Sequence, residues 1–221
     1  MNPNEYSLRE VKHARTKIAL MNAFIERLRS SRFEDVAIKD VCKNVEISEG
    51  TFFNYFPEKI DIIIYYVNLM TMKFAWKARK KASQGKYIAL VNAFFEELGD
   101  EFAKLDITYE LISIMIVQHA KPKKAAIPDI EKHLFFPYLA GIEDLSPFLI
   151  DEFFRECLEG ALENGELPGN VNIDNTLVSL MTIMIGTMIA IKFSDIKNIR
   201  YQYMRQLQIL WKELVVRQPK G

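Results

Sequence analysis

Cysteine is scarce. Cys42 and Cys157 are the only two in 221 residues; they stand far apart and fit no metal-ligand spacing. That argues against a disulfide scaffold or a zinc module. Histidine is equally sparse, with His13, His119 and His133 scattered along the chain. No glycine-rich phosphate loop, nucleophile elbow or metal-binding helix motif occurs. Asp151, Glu152 and Glu156 sit close together on a helical pattern, as a solvated face would. The expectation is a protein that is not an enzyme and carries no metal or cofactor. Glycine (9) and proline (8) are too few for a loop-rich or low-complexity chain, and so few breakers favour helix. Neither charge sign is in excess: 29 basic and 29 acidic residues cancel, so any nucleic-acid contact must come from a local basic face. The polar, charged start lacks the pattern of a secretory leader, which predicts a reducing cytoplasm. Residues 177–191 are nearly all apolar, yet they fall short of the roughly 20 residues a bilayer needs. Asp174 and Lys192 bracket them, so they read as a helix buried in protein, with no membrane partner.

What is present begins near residue 33. Ile38, Val41, Cys42 and Val45 give a short helix one apolar face, with Lys39 and Lys43 on the other. Ser48 is a good N-cap for a second short helix. Ile47 before it and Phe52 at its fourth position make a hydrophobic staple, and Glu49 favours the positive end of the helix dipole. Pro57 ends the unit. Upstream, Ile18, Met21, Ile25 and Leu28 form the stripe of a longer helix able to cross both. Two short helices at a steep angle place one of them in a major groove. Basic residues gather at this end, among them Arg9, Lys12, Arg15, Lys17, Arg27, Arg29 and Arg32.

The string Ile47-Ser48-Glu49-Gly50-Thr51-Phe52-Phe53-Asn54-Tyr55-Phe56 with Lys59 resembles the tetracycline-repressor (TetR) family of transcriptional regulators. So do Arg15-Thr16-Lys17-Ile18, Ala23-Phe24, Phe33-Glu34-Asp35-Val36 and Ile38-Lys39-Asp40-Val41. The resemblance covers roughly the first quarter of the chain. It implies an all-α protein: an N-terminal three-helix helix-turn-helix DNA-binding domain (1–57) and a larger C-terminal helical ligand-binding and dimerisation domain (58–221). It implies a homodimer that binds a palindromic double-stranded operator, acts as a repressor, and is released by a small, hydrophobic effector. The DNA-binding candidates are Lys39, Ser48, Gly50, Thr51, Phe53, Asn54, Tyr55 and Lys59. Thr51 and Asn54 would reach base edges or nearby phosphates, and Tyr55, Lys59 and Lys39 would hold phosphates. Three positions depart from the family's pattern. Ala37 replaces a capping hydroxyl, at a cost of about 1 kcal/mol. Glu46 stands where glycine is usual, and a left-handed backbone there would cost roughly 1–2 kcal/mol. Phe53 lacks the hydroxyl of the usual tyrosine. These leave an alternative open, a helical small-molecule-binding or interaction protein with a weakened helix-turn-helix.

Beyond the reading unit, helices are predicted at 58–82, 86–105, 108–119, 147–163, 171–193 and 197–217, with a loop at 120–127 and an irregular stretch at 133–138. The resemblance points to a pocket lined by Tyr66, Met70, Phe74, Phe94, Phe102, Tyr109, Met115, His119, Phe136 and Phe154. Aromatic and Met residues at helical spacing are more often plain core. Thr182, Gly186 and Ala190 recur every fourth residue as a smooth stripe, and Tyr203, Leu207, Leu210, Trp211 and Leu214 make an apolar seam on the last helix. By the resemblance, these two helices pair with their twins in the dimer.

Overall fold

The computed structural model describes residues 6–102, 107–119 and 123–216; the ends of three predicted elements (103–106, 120–122 and 217) lie outside them. Among the described residues the regular structure is helical, with no strand. The helices are α1 Leu8–Leu28, α2 Ile38–Val45, α3 Glu49–Tyr55, α4 Lys59–Lys81, α5 Tyr87–Phe102, α6 Thr108–Val117, α7 Asp129–Phe135, α8 Ile150–Glu163, α9 Ile173–Lys192 and α10 Ile199–Val216. A 3₁₀ turn, Ile142–Asp144, lies between α7 and α8.

Two compact units divide the described residues. The first draws on the stretch up to Lys73 and on Glu110–Pro147. The second draws on Phe74–Tyr109 and on the chain from Phe148 onward. α4 contributes to both.

In the first unit, α1 opens on a reciprocal capping box. Glu10 N–H donates to Ser7 Oγ at 3.3 Å, and Ser7 N–H donates to Glu10 Oε2 at 2.9 Å. Ala14, Ile18, Met21, Phe24, Ile25 and Leu28 then bury one helical face. Aromatic rings carry the core onward: Phe24 to Phe33 at 6.0 Å, Phe52 to Phe56 at 5.8 Å and Phe56 to Tyr65 at 5.6 Å between centroids. The stretch expected to be irregular, 133–138, overlaps the end of α7, Asp129–Phe135. Its N-cap is Pro128, whose missing N–H costs nothing there, and Asp129 and Glu131 occupy the first turn.

The second unit is built around Phe94. Phe74, Phe95, Phe153 and Phe154 surround it at centroid distances of 5.2–6.3 Å. Tyr203 closes on Phe95 at 5.1 Å and donates its hydroxyl to Met184 O at 2.8 Å. α5 and α10 approach so closely that a Cβ on Gly99 would lie 2.8 Å from Arg200 Cα.

α9 is not buried within the chain: of its residues only Thr176, Leu180 and Met188 are. By length and composition it could cross a membrane, but its exposed residues follow one stripe, including Val178, Ile185 and Ile189.

Candidate nucleic-acid interface

α2 and α3 form the predicted pair of short helices. Ala37 leaves α2 without a side-chain cap. Glu46 ends α2 in the left-handed region, at φ 58° and ψ 44°. The turn closes through Ile47 N–H to Cys42 O at 3.1 Å and Glu46 N–H to Lys43 O at 3.3 Å, so left-handed backbone is what this helix end requires. Ser48 caps α3: Thr51 N–H donates to Ser48 Oγ at 3.1 Å, and the two hydroxyls share a hydrogen bond at 2.9 Å. Phe52 is fully buried behind α3. The opposite face carries Ser48, Gly50, Phe53 and Asn54, all exposed, with Thr51 and Tyr55 half-buried beside them. Phe53 is 46% exposed, a large value for a phenyl ring that a monomer would normally cover.

Gly50 has no internal reason to be glycine. A Cβ there would meet only Ser48 Oγ, at 3.8 Å.

The basic residues divide by partner. Lys17 pairs with Glu131 at 3.0 Å, Arg27 with Asp40 at 3.8 Å and Arg29 with Glu26 at 3.0 Å. Arg9, Lys12, Arg15, Lys39 and Lys43 are exposed. Lys59 is half-buried: its ammonium donates to Phe33 O and, at 3.2 Å, to Glu34 O, and lies 4.7 Å from the Phe33 ring centroid. Burial pulls its pKa below the ordinary 10.5, against the raising effect of Glu34 and Asp35. It thus fastens the loop before α2, a role not anticipated from the sequence. His13 was also missed: its ring stands 4.5 Å from that of Tyr55, tying α1 to α3.

The pocket candidates fall in both units. Tyr66, Met70 and Phe136 are buried in the first, and Phe74, Phe94 and Phe154 in the second. Phe102 meets Tyr109 edge-on at 4.8 Å, with Lys192 Nζ 4.8 Å from the Tyr109 ring centroid. Met115 is half-buried, and His119 is exposed with a left-handed φ of 49°. A groove of about 520 Å³ lies elsewhere, between Asn92 and the α10 residues Met204, Gln208, Trp211, Lys212 and Val215. Trp211 Nε1–H donates to Asn92 Oδ1 at 2.9 Å.

The pairing candidates divide too. Thr182, Gly186 and Ala190 are exposed along α9, and Leu210, Trp211 and Leu214 are half-buried on α10. Tyr203 and Leu207 face inward instead. Both are fully buried in the second unit, so neither offers a surface to another chain. Cys42 and Cys157 are buried, and burial raises both thiol pKa values, Cys157 to about 12, which disfavours thiolate chemistry.

No protein-family model matches the chain, and no curated protein sequence does. Solved structures do. FadR of Thermus thermophilus, a TetR-family transcriptional repressor in complex with lauroyl-CoA, superposes with a TM-score of 0.63 at 17% identity, over 93% of this chain and 98% of that one. The fatty acid degradation regulator FadR of Bacillus halodurans gives 0.55 at 14%, over 90% and 96%. FadR of Bacillus subtilis in complex with stearoyl-CoA gives 0.56 at 12%, over 87% and 96%. The all-helical fold of this chain is the one shared by TetR-family regulators.

Proposed function

We propose that this protein is a ligand-responsive, DNA-binding transcriptional repressor that works in the cytoplasm as a homodimer. The observation that carries this reading is α3: a capped helix with a buried Phe52 behind it and Ser48, Gly50, Phe53 and Asn54 facing solvent. Asn54 can pair bidentately with adenine, and Phe53 can lie against a thymine methyl. Gly50 lets a phosphate approach the free amides at the start of the helix. Tyr55, Lys39 and the exposed Arg9, Lys12 and Arg15 hold the backbone and set position along it. Lys59 spends two of its three donors on carbonyls and keeps one for a phosphate.

The dimer forms through α9. Val178, Thr182, Ile185, Gly186, Ile189 and Ala190 lie on one exposed stripe, too apolar and too continuous for a face that meets only water. A dimer presents two α3 helices, one from each chain, to successive major grooves, which lie roughly 34–36 Å apart. The effector is a molecule with a long apolar chain. Two structural neighbours hold lauroyl-CoA and stearoyl-CoA, and the second unit is rich in phenylalanine, the kind of side chain that would suit such a chain. Its differential affinity for the two states of the dimer would be passed through α4.

The test is selection of duplexes from a randomised library at low ionic strength, followed by fluorescence anisotropy on the enriched sequence. A palindrome bound by a dimer, with release on adding acyl-CoA, is the expected result. Purified dimer that enriches no sequence would overturn the reading.

A further inference from the structure

The segment that follows α6 is tied to α1 and α4 by polar contacts, and the innermost of them is buried. Glu131 in α7 is 1% exposed. Lys17 Nζ, from α1, lies 3.0 and 3.3 Å from its two carboxylate oxygens, and Tyr65 of α4 donates its hydroxyl to Glu131 Oε2 at 2.7 Å. Lys17 also sits 4.2 Å from the centroid of the Tyr65 ring. Upstream of α7, Asn68 of α4 donates to Lys123 O at 3.2 Å and accepts from Ala125 N–H at 3.4 Å, and Lys123 pairs with Asp61. All these groups belong to the first unit.

A buried ion pair is a poor source of stability, because desolvation offsets most of its attraction; what it supplies is a unique arrangement. Here the arrangement is the rotation and height of α1. Lys17 lies one helical turn after His13, so both occupy the same face of α1. His13 stands against Tyr55, the last residue of α3. A continuous physical route therefore runs from the Glu131 carboxylate to Lys17, one turn along α1 to His13, and across to the DNA-reading helix.

We propose that Glu131 is a positioning residue for DNA reading, which sets the pose of α3 through Lys17 and His13. This rests on the reading of the chain as a DNA-binding regulator. A carboxylate outside α3 thereby controls sequence discrimination more than general affinity. Phosphate contacts made from the outer face of α1 survive a small tilt, whereas base-edge contacts do not.

The test compares wild type, Glu131→Gln, and the double variant Lys17→Met/Glu131→Gln. The first keeps the shape and a partner for Tyr65 but removes the charge that holds Lys17. The second removes both charges, leaving no buried ion unpaired. Three readouts are taken: affinity for the duplex enriched by wild type, affinity for an unrelated duplex of equal length, and thermal stability. Specific affinity is expected to fall roughly ten-fold in Glu131→Gln, with unrelated duplex bound as before. The double variant should regain thermal stability without regaining specific affinity. Equal loss on both duplexes, unchanged specific affinity in Glu131→Gln, or recovery of specificity together with stability would each overturn the proposal. Hydrogen exchange without DNA gives an independent arm: amides of α1 and of the Tyr55 turn should exchange faster in Glu131→Gln, and unchanged protection would also overturn it. If wild type enriches no duplex, the functional reading fails, and this exchange arm still decides the role of Glu131.

Discussion

Glu46 holds φ 58° and ψ 44° with a side chain that the backbone there disfavours. A non-glycine residue in this region costs roughly 1–2 kcal/mol. Replacing it by glycine removes that cost but frees the unfolded chain, which takes back about 0.4–1 kcal/mol. The balance for Glu46→Gly is a gain of roughly 0.5–1 kcal/mol, or about 1–4 °C in Tm for a chain of this size. Glu46 is exposed and its amide already bonds to Lys43 O, so the substitution breaks no contact of the helix end. Charge is the confounder, since Glu46 sits at the turn before α3. Glu46→Ala separates the two effects: it removes the charge and keeps the strain. Calorimetric melting should therefore rank Glu46→Gly above both wild type and Glu46→Ala. Anisotropy on DNA should show both variants binding more tightly than wild type, by similar factors, because both lose the same negative charge. If Glu46→Ala stabilises as much as Glu46→Gly, the strain argument is wrong and electrostatics alone explains the gain.

The remaining expectations use the same separation of inside from outside. Gly50→Ala has room in the fold and should raise stability by about 0.5–1 kcal/mol through helix propensity, while anisotropy shows weaker DNA binding; unchanged binding would place the DNA elsewhere. Gly186→Leu meets only Thr182 Cγ2, 4.0 Å from the added Cβ, so the monomer should fold while light scattering after size exclusion shows the dimer lost. Gly99→Ala has no such room: its Cβ would lie 2.8 Å from Arg200 Cα, and thermal melting should report a loss of about 1–3 kcal/mol. Glu97 gives a pH signature. Burial pushes its pKa up, but hydrogen bonds from Lys81 and Lys77 outweigh this and hold it below the ordinary 4.5. A depressed carboxylate stabilises the fold above pH 4.5, and that contribution is lost as pH falls through the folded value. Urea midpoints should therefore drop less for Glu97→Gln than for wild type when the pH is taken from neutral to below 4.5; parallel losses would refute the assignment.

The two short helices were legible because their determinants are local. Ser48 caps from its own side chain, Phe52 marks the inner face of α3, and Glu46 stands where a helix end calls for left-handed backbone. α7 escaped notice for an equally local reason: Pro128 and Pro137 look like breaks, yet proline at a helix start is harmless, and seven residues fit between them. What could not be read is which neighbour an apolar or charged face meets. Heptad spacing identified Tyr203 and Leu207 as apolar seam residues but not that α5 and Met184, rather than a second chain, receive them. Lys17 looked like one more member of a basic cluster, because its carboxylate partner lies 114 positions away. The sequence marks Lys59 as a phosphate ligand but does not show that it also holds the carbonyls of Phe33 and Glu34. A periodic pattern therefore locates a face, and only the fold assigns its partner. For α9 the fold leaves Val178, Ile185 and Ile189 exposed among the described residues, and that is the face on which the proposed dimer rests.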